Sequence, residues 1–462
     1  MKTLKRIIIL AFCAVLLIPI LTFNTEENAI SEIDNRALAV NPFTEESSED
    51  FTKDVENYVN DRIGLRNEMI LAYTVLNDRL FGKMVHPSYT YGKDGYVFGA
   101  GLDVNIRYNE FHEVFADMVK KVQDYCEERD IPFLFVFNPA KPAVMTEYIA
   151  EGINYHREWV DEFLKALEER GVQYLDNTKT LKMAKETGEV VFNQKYDANH
   201  WNDIGAYYGT NAMLEEMKKY IPTVHVNTER DVEFTEIKQE SLLVSKFPIN
   251  EMVPSAIIHD KVESITDLFV DELELNESYR GFGYYVNQKR MGEDAPRSLV
   301  FQGSYMNGYG YKYFQNAFGE YIHVHDYQNI LNFPYYYNIF RPDCVIFEVA
   351  EYTFSDGYFN FEKMKTLDFQ SPYQSVLAGL EVSEEYLPLE NVEVVKGRTL
   401  TKINWIQSEN LEQAWLLMGD EEYDLVKSET GYTVTVLTEE YQKCKDELKI
   451  VGTVDGTMMY WK

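Results

Sequence analysis

From residue 105 to residue 349 short, wholly apolar runs alternate with amphipathic stretches, and this alternation narrows the fold more than any other feature. Asn105 to Arg129 reads as a helix, with Phe111, Phe115, Met118, Val119, Val122 and Tyr125 along one face. Pro132 ends it, and Phe133-Leu-Phe-Val-Phe137 follows as a buried strand. Trp159 to Arg170 is a second helix, stopped by Gly171 and followed by a strand at Val172 to Leu175. Thr178–Thr187 and Tyr207–Tyr220 read as helices, as does Gly310–Phe318. Ser298–Phe301, Tyr321–His325 and Cys344–Val349 read as strands. Strands without a polar face need cover on both sides. The expected class is therefore α/β, with a mostly parallel sheet between helical layers. Reactive residues in such folds gather beyond the carboxyl ends of the strands.

The flanks read differently. Met1 to Arg6 is a basic head, and Ile7 to Phe23 is apolar apart from Pro19 and Thr22. That is an export signal, and no Ala-x-Ala cleavage site follows it, which favours an uncleaved signal-anchor over residues 1–24 with everything beyond it extracytoplasmic. Residues 25–100 form a lead-in, with a helical stripe from Phe51 through Gly64 to Phe81 and two short strands within Tyr89–Phe98 around a Lys-Asp-Gly turn. The α/β unit is expected over 101–380, with an insertion or cap near 223–296. After about residue 380 the helix signals fade. Val392–Lys402, Ala414–Met418, Tyr432–Leu437 and Leu448–Val454 read as strands, giving a small β-rich module over 381–462.

Charge excludes one class of partner. The 44 Lys and Arg face 76 Asp and Glu, a formal net charge of -32, which repels phosphate backbones and argues against nucleic-acid binding. Glu45–Asp50 and similar acidic clusters read as solvated faces. Cys13 falls in the apolar head and Cys126, Cys344 and Cys444 are widely spaced, so isolated thiols fit better than a disulfide framework or a zinc site. His323 and His325 share one strand face, but no further ligands stand at supporting spacing, and neither metal nor cofactor is expected.

Three segments carry chemistry. In Tyr196-Asp197-Ala-Asn-His200-Trp201, a carboxylate separated from an imidazole by two intervening residues can fix the ring tautomer and stabilise its protonated form. The plainer role for Asp197 or Asn199 is to cap the following helix. Gly303-Ser304 follows the Ser298–Phe301 strand, so the serine hydroxyl would stand over the sheet edge, at a turn whose amides can face an oxyanion. A simple Gly-Ser turn is the alternative. Pro139-Ala-Lys141-Pro142 closes the 133–137 strand, placing Lys141 either toward the same cleft or in solvent.

Taken in order, these elements resemble the SGNH-hydrolase-like polysaccharide O-acetyltransferases of the alginate type (AlgX and AlgJ) and the related bacterial DHHW-motif proteins. The resemblance spans roughly residues 25–355. It rests on the signal-anchor, Glu32-Ile-Asp-Asn-Arg36, Asp61-Arg62 with Arg66, Pro139-Ala-Lys141, Asp197 to Trp201, Gly303-Ser304 and the strand after Pro342-Asp343. It implies an SGNH-like fold with Ser304 as nucleophile, His200 as general base and acid, and Asp197 orienting His200. Lys141, Trp201, Tyr305 and Asn307 are the expected substrate-binding residues. It also implies a polysaccharide acceptor and a membrane-bound O-acyltransferase as the source of acetyl groups. Two features depart from the family pattern. Gln302-Gly303-Ser304 lacks the acid of Gly-Asp-Ser, and the Asp-to-His gap is one residue longer than in Asp-x-His-Trp.

The expected function is extracytoplasmic O-acetyl transfer to an exopolysaccharide or cell-wall glycan. A carbohydrate esterase using the same triad and a non-catalytic glycan-binding or assembly protein are the alternatives. The last of these requires Ser304 and His200 to lie too far apart to hydrogen-bond.

Overall fold

The computed structural model describes residues 2–462 except 27–28, 32, 34–35, 45–49, 103–105, 244, 276–280 and 408–410. Glu32, Asp34 and Asn35 of the family stretch, the acidic run up to residue 49 and the expected helix start at Asn105 therefore lie outside the described residues.

Seven strands build the central sheet: β1 (Phe133–Asn138), β2 (Tyr174–Asp176), β3 (Glu263–Ser264), β4 (Phe282–Val286), β5 (Arg297–Gln302), β6 (Glu320–His325) and β7 (Cys344–Ala350). Their order is β2-β1-β7-β5-β6-β4-β3. The first five in that order are parallel, and β4 and β3 close one edge antiparallel. Alternation within the strands feeds two cores. Phe133, Phe135 and Phe137 join Phe347 and Phe301 on one face, while Leu134 and Val136 join Ile346 and Val300 on the other. A one-residue slip in any of these strands would exchange the two sets, so register is strongly specified.

Local chemistry moves several element boundaries. The helix expected from residue 105 is Glu110–Glu127, because the Asn109 side chain accepts from the Phe111 amide in a capping box with His112. The helix expected from Tyr207 begins at Asp203, where the Asn202 side chain accepts from the Ile204 and Gly205 amides. The segment 223–296, expected as an insertion, divides. Val232–Ser241 and Pro248–Ile258 pair as a long separate hairpin, whereas β3 and β4 belong to the sheet itself. Phe282 and Tyr284 are buried in the core, which is why that stretch joins the sheet.

The β-rich region carries a five-stranded and a four-stranded sheet. Val392–Lys402, expected as one strand, is two antiparallel strands, Val392–Lys396 and Leu400–Ile406. The break follows from Glu272, whose carboxylate accepts from the amides of Arg398, Thr399 and Leu400 and so holds them in a turn. This region docks on the α/β unit through a buried ion pair. Arg129 Nη2 lies 3.1 Å from Asp424 Oδ2, with both side chains no more than 6% exposed. The Tyr125 hydroxyl donates to the same carboxylate, and the Asn338 side chain pairs with the Asp424 backbone at 2.8 and 3.1 Å.

At the amino end, α1 (Lys2–Leu21) is long and apolar enough to cross a membrane. Two helices follow, α2 (Phe51–Arg62) and α3 (Arg66–Phe81), broken at Ile63-Gly64-Leu65.

Removing one partner of the Arg129–Asp424 pair strands the other charge in the interface. Asp424→Ala is expected to cost about 3–5 kcal/mol, read as a lower urea midpoint, whereas an exposed pair such as Lys165–Glu169 is expected to change stability by less than about 1 kcal/mol.

Candidate active site

Asp197 takes φ +56°, in the left-handed region that short polar side chains tolerate best. The bend turns its carboxylate back over the chain it precedes. Oδ1 accepts from the Asn199 amide at 3.2 Å and the His200 amide at 3.1 Å, and His200 Nδ1 lies 2.8 and 2.9 Å from the two oxygens. The backbone bonds make the extra residue in the Asp-to-His gap workable. A loop that closes on its own carboxylate delivers the ring of residue 200 to the same acid.

The candidate nucleophile arrives from the sheet. β5 ends at Gln302, Gly303 turns the chain, and Ser304 opens the next helical segment. Ser304 Oγ lies 2.7 Å from His200 Nε2. An ionised carboxylate only accepts, so Nδ1 carries the ring proton and Nε2 is free to accept from the serine. Burial works against a charged ring here. The Asp197 carboxylate outweighs it, with a smaller contribution from Glu348, and holds His200 above the usual imidazole range. Burial likewise opposes the charge on Asp197, but the His200 ring and the two backbone amides keep its carboxyl below the usual range. Asp197 is 3% exposed and the His200 side chain 15%, so the relay is sheltered and opens toward solvent at the imidazole and the serine.

The missing acid of Gly-Asp-Ser has a steric explanation. A Cβ at Gly303 would lie 1.8 Å from the Tyr327 hydroxyl, so a side chain at that position would require the Tyr327 ring to move. A carboxylate reaches the turn from another strand instead. Glu348, fully buried on β7, accepts from the Gly303 amide and from Asn138 Nδ2, each at 2.7 Å. Asn138 in turn accepts from Asn177 at 2.8 Å. Burial pushes Glu348 up to about 7, against the pull of the Gly303 amide, Asn138 and His200. The network ties together the carboxyl ends of β1, β5 and β7, the edge over which Ser304 stands.

Two tyrosines were missed in the sequence. The Tyr352 hydroxyl lies 2.7 Å from Ser304 Oγ and 3.1 Å from His200 Nε2, and since the serine donates to the ring, Tyr352 donates to the serine. Tyr309 donates to Asp197 Oδ2 at 3.0 Å. Position offers a signal for both. Tyr352 stands two residues beyond the end of β7, and Tyr309 lies on the π-helical turn 306–310 that follows Ser304.

Three of the four expected substrate-binding residues are structural. Lys141 is wholly buried beneath Tyr96 and Phe98, and its ammonium donates to the Val97 carbonyl at 2.7 Å and the Gln194 carbonyl at 3.2 Å. Burial pulls it down to about 7, countered by Asp197 and Glu251. It pins the loop that leads into Asp197 and does not face a cleft. Trp201 is buried against Gly209, where a Cβ would lie 2.3 Å from the indole, and its Nε1 donates to the Tyr305 carbonyl at 3.1 Å. The Tyr305 hydroxyl sits 2.7 Å from the carbonyls of Pro139 and Asn199, donating to one at a time. Asn307 is half-buried and accepts from the Gln302 side chain. Among the described residues no cluster of His, Cys, Asp and Glu could hold a metal, and all four cysteines are free thiols.

A hydroxyl held against a neutral imidazole should react selectively with electrophiles. A fluorophosphonate is expected to add once, at Ser304, with a rate that rises with pH as His200 loses its proton and a half-maximum above about 6.5. Intact mass and peptide mapping read the site. Asp197→Asn is expected to slow labelling by on the order of 10³–10⁴-fold, and Lys141→Met to lower the melting temperature without moving the labelled residue.

Residues 90–266 match the family model described as SGNH hydrolase-like domain, acetyltransferase AlgX. The match includes Asp197 and His200 and stops short of Ser304. No curated protein matches the chain. Among solved structures the chain is similar to Bacillus cereus PatB1 with a sulfonyl adduct (13% identity, TM-score 0.43, 61% of this chain and 97% of that one). It is also similar to the O-acetyltransferase domain of Pseudomonas putida AlgJ (13%, 0.40, 63% and 98%) and to a DHHW family protein from Eubacterium siraeum (14%, 0.42, 62% and 98%). Over residues 90–266 the chain is therefore similar to the SGNH hydrolase-like domain of the AlgX acetyltransferase.

Proposed function

We propose that the chain is an extracytoplasmic O-acetyltransferase that moves an acetyl group through Ser304 to a hydroxyl of an exopolysaccharide or cell-wall glycan. The observation that carries this reading is the 2.7 Å contact between Ser304 Oγ and His200 Nε2, with Asp197 on the opposite ring nitrogen. Neighbouring groups with no part in catalysis would have no need of this alignment.

The chemistry proceeds in two half-reactions. His200 Nε2 takes the Ser304 proton as Oγ attacks the acetyl carbonyl. The donor's leaving group then departs with that proton, leaving acetyl-Ser304 and a neutral ring. A sugar hydroxyl next gives its proton to Nε2 and attacks the acetyl carbon, and the imidazolium returns the proton to Ser304 Oγ. In each step negative charge builds on the carbonyl oxygen. The amides of Tyr305 and Met306 in the first turn of the helix opened by Ser304, which lack intrahelical carbonyl partners, are the donors proposed for it. Burial and nearby charges keep Tyr352 protonated, so it donates to the nucleophile without competing with it.

A membrane-bound O-acyltransferase is the proposed acetyl supplier, with α1 as a signal-anchor holding the chain at the outer face of the membrane. The surplus of acidic residues favours a neutral glycan over a polyanion as acceptor.

The test is an acetyl-ester assay with and without oligosaccharide acceptors, followed by mass spectrometry of the sugars. Acetylated sugar is expected, with Ser304→Ala and His200→Ala each lowering turnover by at least about 10³-fold while the fold is retained. Release of acetate that no acceptor diverts would make the protein an esterase with the same relay. Unchanged turnover in both variants would remove catalysis at this site altogether.

A further inference from the structure

We propose that the outer face of α3 lies in the surface of the lipid bilayer, so that the chain rests on the membrane along this helix as well as being held by its apolar amino-terminal segment. Met69, Tyr73, Leu76 and Leu80 follow one another at spacings of four, three and four residues. They form a single stripe about 16 Å long on one side of the helix. All four are exposed, Leu80 to 63%, and Phe81 at the end of the helix to 67%. The opposite side is already used. Thr74 is buried, and Leu71 and Val75 pack against a cluster containing Tyr89, Val97 and Ala198. The helix is thus apolar on two faces, and only one of them is covered by this chain.

The position of the stripe identifies what covers the other. The last turn of α1 and the segment after it are hydrogen-bonded to the corner between α2 and α3: the Gly64 amide donates to the Pro19 carbonyl at 2.9 Å, and the Asn24 amide to the Arg62 carbonyl at 2.8 Å. Buried Arg62 adds bonds to the carbonyls of Glu26 at 2.6 Å and Ala39 at 2.8 Å. The segment leaving α1 is therefore fastened to the start of α3, and the stripe begins where the membrane-length helix ends. Charge agrees with this placement. Between Phe51 and Val85 the five basic side chains balance the five acidic ones, whereas the whole chain stands at -32. A neutral foot on so acidic a protein can approach anionic headgroups that would repel the rest of it.

The full chain, with Cys13→Ser and Cys444→Ser to remove accessible native thiols, would be reconstituted into phosphatidylcholine–phosphatidylglycerol vesicles. It would carry a nitrobenzoxadiazole label at Leu76→Cys or Leu80→Cys, or at Lys165→Cys as an exposed control. The expected result is blue-shifted emission at 76 and 80 that doxyl-labelled lipid quenches, with neither effect at 165. Emission at 76 and 80 matching that at 165 would overturn the proposal. So would a blue shift that lipid quencher does not touch but dilution of the protein in the bilayer reverses, since that would place a second protein on the stripe. The fluorescence readout does not depend on acyl transfer, so the outcome stands apart from the proposed activity.

Discussion

The site depends on what one buried carboxylate is required to do. Asp197 must be ionised to hold the His200 ring, and an ionised acid at 3% exposure is costly unless its oxygens are occupied. They are. Two backbone amides from its own loop, the imidazole Nδ1 and the Tyr309 hydroxyl all donate to it. The same contacts that stabilise the charge fix the tautomer, which leaves Nε2 able to accept from Ser304. The stabilised charge and the ring tautomer thus have a common origin in the geometry of residues 197–200.

That loop is itself held by groups remote in sequence. Glu251, on the long hairpin, accepts from the amides of Gln194, Lys195 and Tyr196 immediately before Asp197. Lys141 takes the Gln194 carbonyl from beneath, and Asp203 just after the loop accepts from Ala256 on the hairpin and from Lys312. The hairpin pairs with no strand of the central sheet, and its visible work is to brace this loop from outside. On the serine side the bracing is internal, through Glu348 and Asn138 across three parallel strands. Two independent supports therefore converge on one 2.7 Å contact.

The sheet was legible because unbroken apolar strands such as Phe133–Phe137 can only be interior, and Pro132, Gly171 and Gly303 punctuate it where the chain turns. Ser304, His200 and Asp197 were legible as separate candidates, and their meeting came from a resemblance, since about a hundred residues separate the serine from the other two. Other parts left no local trace. β4 reads as an isolated Phe-Gly-Tyr-Tyr-Val run, and only its pairing with β6 makes it an edge strand. Lys141 looks the same in sequence whether it points to solvent or inward, and the aromatic lid of Tyr96 and Phe98 that buries it comes from about 45 residues earlier. Glu348 sits in an otherwise apolar strand, a visible anomaly whose partner at Gly303 only the sheet order supplies.

The central claim is that Asp197 sets the protonation of His200, and nitrogen-15 NMR of histidine-labelled protein measures this directly as a function of pH. The account predicts that the His200 ring titrates above the usual imidazole range, with its proton on Nδ1 in the neutral form, and that Asp197→Asn brings the midpoint down. A His200 midpoint at or below the ordinary value, or one that Asp197→Asn leaves in place, would contradict it.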